Sequence, residues 1–274
     1  MNYFAHARLA ATRSDDPRFA LGAMLPDWLA WIGDRPRRVA DGAVAAGIRF
    51  HHECDAAFHA APRFLTLVRA AGTALADGGL PRGPARGAAH VGVELLLDAA
   101  LVDLDPEAPF YGAALDAASA ASRSITWSRP DSGARFAHAI RRLAAEGPPR
   151  RYRDPERLAH AVERTLARRP RLRVPAEARS VVSAWAHAAR PDVQRAAPIL
   201  LAETRDGLRR RARESAGSPV SPRRPGGASP GTSASPPGRP GAGRRSPSPR
   251  WRTRRPSADR GRSGRSRPAC RGPC

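Results

Sequence analysis

Two four-residue repeats of imidazole and carboxylate mark this chain: His51, Asp55 and His59, then His90, Glu94 and Asp98. Positions four apart stack on one side of a helix, so each trio reads as a polar stripe against an alanine-rich background. Two such stripes facing each other would surround one cavity with imidazoles and carboxylates, which is how helical proteins build metal sites. His6 in MNYFAHARLA and Asp27 in GAMLPDW add donors from two further segments. Mixed His and carboxylate sets suit Mn²⁺, Fe²⁺ or Zn²⁺, because imidazole serves borderline ions and carboxylate serves harder ones. An ion of this kind lowers the pKa of bound water and makes hydroxide available near neutral pH. Asp55, one turn from His51, reads as the group that orients that ring through its second nitrogen.

A plainer reading competes. His/Asp pairs four apart stabilise a helix by a few tenths of a kcal/mol without any ion. The surroundings of Glu94 and Asp98 favour a site. Val93, Leu95, Leu96, Leu97 and Leu101 mark that helix as buried, and a buried carboxylate needs a partner or a cation. His90 is one available partner. His138, His160 and His187 have no matching acidic stripe and read as ordinary surface or hydrogen-bonded residues. Cys54 reads as a small buried hydrophobe.

The elements that must position these groups read as helices over residues 1–214. Asp15-Asp16-Pro17 resembles a helix start, with a stop near Gly33. A long helix covers Asp41 to Ala60, with a break or bend at Pro62. Gly78-Gly79 and Pro81 to Pro84 form a loop, and another helix covers Ala85 to Val102. Shorter helical patterns follow at 107–122, 131–146, 154–168, 175–190 and 192–213, punctuated by prolines including Pro130, Pro155, Pro175 and Pro191. Valine and isoleucine seldom alternate with polar residues, so strand signals are weak. The expected class is all-α, one multi-helix domain over 1–214 followed by a disordered tail over 215–274.

Charge divides along the same line. The formal net charge is +22 in 274 residues, with no lysine. Residues 1–214 carry 33 Arg against 24 acidic side chains, or +9, and residues 215–274 carry 14 Arg against one acid, or +13. The tail is Pro, Gly, Ser and Arg with almost nothing to bury, a composition that cannot offset its ordering entropy. Its bland reading is a solvated segment. Its functional reading is weak, salt-sensitive binding to a polyanion. Three cysteines without a CxxC pair give neither a disulfide framework nor a zinc knuckle. The opening lacks a basic region followed by an apolar run, so no signal peptide is read there. The longest apolar stretch, Phe19 to Ile32, is broken by Pro26 and Asp27, too short and polar to span a bilayer. A cytoplasmic protein is expected.

Several segments together resemble the acyl carrier protein phosphodiesterase family (holo-acyl carrier protein hydrolases, distant relatives of the HD-domain phosphohydrolases). MNYFAHARLA is similar to the family's opening, GAMLPDW to its small-residue turn followed by Asp, and GIRFHHECDAAFHAAP to its G-I-x-x-H-x-x-x-D segment. RRYRDPERLAHAVERTLARRPRL is similar to its Tyr-x-Asp and Arg-Arg-x-Arg-Leu stretch, and APILLA to its final helix. The resemblance runs from Met1 to about residue 210. It implies an all-helical, HD-like fold and a divalent metal, commonly manganese. The implied activity is hydrolysis of the phosphodiester that joins 4'-phosphopantetheine to a serine of holo-acyl carrier protein. It implicates His6, Asp27, His51, Asp55 and Asp98, and it places Arg168, Arg169 and Arg171 in the basic segment. Acyl carrier proteins are strongly acidic, which suits the +9 of residues 1–214.

The departures from the family are local. Its Asp-His pair stands here as Asp98-Ala99, and its Thr-Asp pair as Phe58-His59. Glu94 replaces a family Asp, and His90 replaces a Pro. On a helix His90 points the same way as Glu94 and Asp98, whereas position 99 lies about 100° around from 98. The combined expectation is a metal set of His6, His51, Asp55, His59, His90 and Asp98, with Asp27, Asp98 and Glu94 in catalytic roles. Arg168, Arg169 and Arg171 meet the acidic partner. The competing readings are a non-catalytic scaffold of the same descent and a metallohydrolase of another small phosphoester.

Overall fold

The computed structural model describes residues 1–217, so the tail expected from 215 onward lies, apart from its first three residues, outside the described residues. Nine α-helices make up most of the described chain: α1 (Tyr3–Ala11), α2 (Pro17–Ile32), α3 (Gly42–Phe58), α4 (Pro62–Asp77), α5 (Arg82–Leu104), α6 (Pro109–Ser122), α7 (Ser132–Glu146), α8 (Pro155–Leu166) and α9 (Arg179–Gly217). The protein is all-α. A small antiparallel pair, β1 (Pro36–Val39) with β2 (Ile125–Trp127), ties the segment after α2 to the segment after α6, with Val39 opposite Ile125. Among the described residues no helix is long and apolar enough to cross a membrane.

Local chemistry explains the boundaries. The Asp16 side chain accepts from the Arg18 N–H, Pro17 opens α2, and Gly33 closes it at φ 72°, a left-handed conformation that favours glycine. Asp41 caps α3 by accepting from Ala43 and Val44 N–H, and Asp154 caps α8 in the same way. α4 fills a stretch for which the sequence suggests only a break at Pro62. Its signal is Phe64, Ala71 and Leu75, buried on one face.

α9 is the main departure. Pro191, expected to separate two helices, lies with Pro198 inside one continuous helix. A proline there leaves the carbonyl four residues back without its donor, at a cost of about 3 kcal/mol. Both prolines sit on the exposed side, where water can serve the freed carbonyl, and Val182, Trp185, Ala186, Val193, Ala197, Leu200 and Leu201 on the other side are buried in the core. Burial at roughly 1.5–3 kcal/mol per large apolar side chain outweighs the two interruptions.

α5 runs through the interior with two working faces. Gly92 lies under the Trp185 ring of α9, where a Cβ would come within 2.5 Å of the indole. His90, Glu94 and Asp98 lie on the opposite face, towards α1 and α3.

Candidate metal centre

α2 and α3 cross with their backbones in contact. A Cβ on Gly22 would sit 2.2 Å from the Val44 carbonyl oxygen, and one on Gly47 would sit 2.1 Å from that of Phe19. This close crossing lets His51 on α3 reach the backbone of α2, with Nδ1 2.8 Å from the Ala23 carbonyl oxygen. A carbonyl only accepts, so the proton is on Nδ1 and the Nε2 lone pair faces the cluster. The sequence suggests that Asp55 orients His51. The structure gives that task to the Ala23 carbonyl, and Asp55 Oδ2 instead lies 3.5 Å from Nε2.

His6, on the first turn of α1, is fully buried and stacks on His51 with ring centroids 3.9 Å apart. Its Nε2 lies 3.2 Å from Asp55 Oδ1 and 3.9 Å from Asp27 Oδ2. The Nε2 approach to Asp55 is close but not aligned as a hydrogen bond, Nδ1 of His6 has no partner, and neither does Asp27 Oδ2. Burial pushes His6 down to about 3 and lowers His51 as well, so both rings are neutral at ordinary pH. Burial also drives the Asp27 carboxyl well above its usual range. The Met1 ammonium opposes that rise, and Asp55, Glu94 and Asp98 add to it. Asp55 is held below the usual range: burial works against its charge, but His6 and the Met1 ammonium outweigh that. The result is a buried pocket where two neutral imidazoles face carboxyl groups with few aligned hydrogen bonds between them, the condition under which buried polar groups ask for a cation.

The α-amino group of Met1 sits between the two helical stripes, 3.0 Å from Asp55 Oδ1 and 3.1 Å from Glu94 Oε1. Burial disfavours its charge, yet Glu94, Asp55 and Asp27 together raise it to about 10. On the far side of it a second group gathers. His59 Nε2 lies 3.1 Å and His90 Nε2 3.2 Å from the same Glu94 oxygen. Burial would raise Glu94, but the ammonium and the two imidazoles hold it well below its usual range. The candidate ligands therefore fall into two sets, His6–Asp27–His51 and His59–His90–Glu94, with Asp55 against the first.

Asp98, expected as a ligand and a catalytic group, is in neither set. One oxygen accepts from the Ala5 N–H at 3.0 Å and the other from Asn2 Nδ2 at 2.7 Å. Asn2 makes no side-chain cap of its own, so a carboxylate from α5 caps α1 across the fold. Burial raises Asp98 to about 7 against these hydrogen bonds. Ala99 packs in the apolar core. Arg168 donates to the Ala30 carbonyl at 2.9 Å, one turn beyond Asp27, while Arg169 and Arg171 are exposed. His138, His160 and His187 are exposed, and Cys54 is a free, buried thiol raised by that burial. The Met1 amino group and the Ala23 carbonyl are backbone groups with no sequence signature. Phe64, whose ring lies 5.3 Å from both His59 and His90, belongs to the apolar pattern of α4. Compared with known proteins, the chain matches no family model, no curated protein and no solved structure.

Proposed function

We propose that this protein is a metal-dependent phosphodiester hydrolase, with the diester between 4'-phosphopantetheine and the serine of an acyl carrier protein as its substrate. The observation that carries the first part is His6: a fully buried, neutral imidazole with neither nitrogen in an aligned hydrogen bond, close to Asp55 and to an unpartnered oxygen of Asp27. Those residues fit a divalent ion, since neutral imidazole and carboxylate are its donors. His6, His51 and Asp55 would hold it. When bound, the ion supplies Lewis-acid polarisation of a phosphoryl oxygen and acidifies water.

The chain's own groups do the rest. The Ala23 carbonyl fixes the His51 tautomer, so Nε2 is always available. An ion beside Asp27 would favour its ionised form, and Oδ2, whose proton affinity burial raises, would then take the proton from the attacking water. Asp55 and Asp27 are partly open, 32% and 19% exposed, so the cluster can be reached from solvent. The family resemblance supports the substrate, and the exposed Arg168, Arg169 and Arg171 suit an acidic protein carrying a phosphate.

The full chain, loaded with Mn²⁺ and incubated with holo-acyl carrier protein, should release 4'-phosphopantetheine, read by mass spectrometry. His51→Ala should lower the rate by more than about 100-fold, beyond the upper end seen when only a supporting residue is lost. A protein that binds no ion, with His51→Ala behaving as the unsubstituted chain, ends the enzyme reading. Hydrolysis of bis-p-nitrophenyl phosphate or a nucleotide diester without action on the carrier protein keeps the chemistry and removes the substrate.

A further inference from the structure

We infer a second transition-metal site, made by His59, His90 and Glu94, on residues where the chain departs from the family it resembles. Three nitrogens crowd one oxygen there: Met1 N at 3.1 Å, His59 Nε2 at 3.1 Å and His90 Nε2 at 3.2 Å, all from Glu94 Oε1. A carboxylate oxygen offers about two lone-pair directions; Met1 N and His59 Nε2 take them with aligned hydrogen bonds, which leaves His90 Nε2 in close contact without one. An imidazole that turns its lone pair to a cation removes the conflict.

The spacing fits such an ion. Zinc bonded at about 2.0–2.1 Å to N and O sets tetrahedral ligand–ligand edges of about 3.3 Å. The two His–Glu edges are 3.1 and 3.2 Å, and all three ligand atoms lie within 4.8 Å of one another. The rings are already aimed. His59 follows directly on the end of α3, where its N–H bonds the Asp55 carbonyl, and His90 sits one turn before Glu94 on α5. The buried ring of Phe64 packs against both. His59 and His90 are 36% and 44% exposed, so the set is open to solvent on one side. Three protein ligands with an open position describe an exchangeable Zn²⁺, Co²⁺ or Mn²⁺ site rather than a closed structural one.

This site stands apart from the proposed activity, because none of its ligands belongs to the His6–His51–Asp55 set. Counting Zn²⁺ bound to the full chain by equilibrium dialysis should give two ions. His59→Asn and His90→Asn should each remove one, and His51→Ala should leave this one bound. Glu94→Gln should weaken it by at least about tenfold. If both Asn variants bind as many ions as the unsubstituted chain with unchanged affinity, there is no such site. If one ion binds and only His51→Ala removes it, the inference also fails. If one ion binds and only the His59 and His90 variants remove it, the site stands and the proposed function falls. A readout without substitution uses NMR: Mn²⁺ should broaden the ring proton lines of His59 and His90, and unbroadened lines overturn the site.

Discussion

Gly47→Ala separates two forces that act in opposite directions on α3. Helix propensity alone favours the substitution by about 0.5–1 kcal/mol. The crossing with α2 opposes it. The new Cβ would stand 2.1 Å from the Phe19 carbonyl oxygen, 2.8 Å from Ala23 N and 2.9 Å from the Gly22 Cα, all backbone atoms of α2. Ordinary contact begins near 3.5 Å, so the helices must part by about 1 Å. Overpacking of this kind costs about 1–3 kcal/mol. The same movement stretches the His51–Ala23 hydrogen bond from 2.8 Å to the edge of bonding distance and forfeits about 1 kcal/mol. Set against the propensity gain, the net loss is about 2 kcal/mol, a fall in Tm of about 4–8 °C for a chain of this size. Freed of its carbonyl, His51 loses its fixed tautomer, so ion affinity should fall as well, by about tenfold. Thermal melts with and without Mn²⁺ read both effects. Gly112→Ala is the control: it lies inside α6 with nothing within 4 Å of the added Cβ, so it should be neutral or stabilising. A Gly47→Ala protein as stable as Gly112→Ala refutes the claim that backbone contact between α2 and α3 builds the site.

Three more outcomes follow from particular groups. Asp27→Asn should leave the Tm of the ion-free protein nearly unchanged, because burial already keeps the Asp27 carboxyl neutral and an amide of the same shape replaces it at little cost, and it should cost most of the turnover in a hydrolysis assay. Asp98 is raised to about 7 in the fold by burial, above its unfolded value, so the stabilisation it gives in its protonated form is complete below about pH 4 and is lost as pH rises to about 7. Urea melts at pH 5 and pH 8 should therefore show the unsubstituted protein losing ground to Asp98→Asn at the higher pH, and the reverse trend contradicts the buried assignment. Ala99→His should destabilise by about 1–3 kcal/mol without adding an ion, because Ala99 packs in the core. A gain of one bound ion in that variant shows the position to be within reach of a site.

The sequence alone carried the class of the fold and most of its helices, because caps, prolines and apolar spacing act within a few residues. Asp16-Pro17 and Gly33 mark the ends of α2, and Asp154-Pro155 marks the start of α8. It also carried the candidate chemistry, since the four-residue spacing puts His51 near Asp55 and His90 near Glu94 on any helix. Only the tertiary structure decided which groups meet. It turned Asp98 from a candidate ligand into a cap for α1, gave His51 its tautomer through a carbonyl of another helix, and divided the imidazoles between two sets with the Met1 amino group between them. It let α9 run through two prolines, since their cost is local while the burial that outweighs it comes from distant partners. The physical reason is the same in each case. Backbone donors and acceptors are alike at every residue, so which one a side chain finds depends on how closely the helices pack, and that depends on contacts such as Gly22 against Gly47.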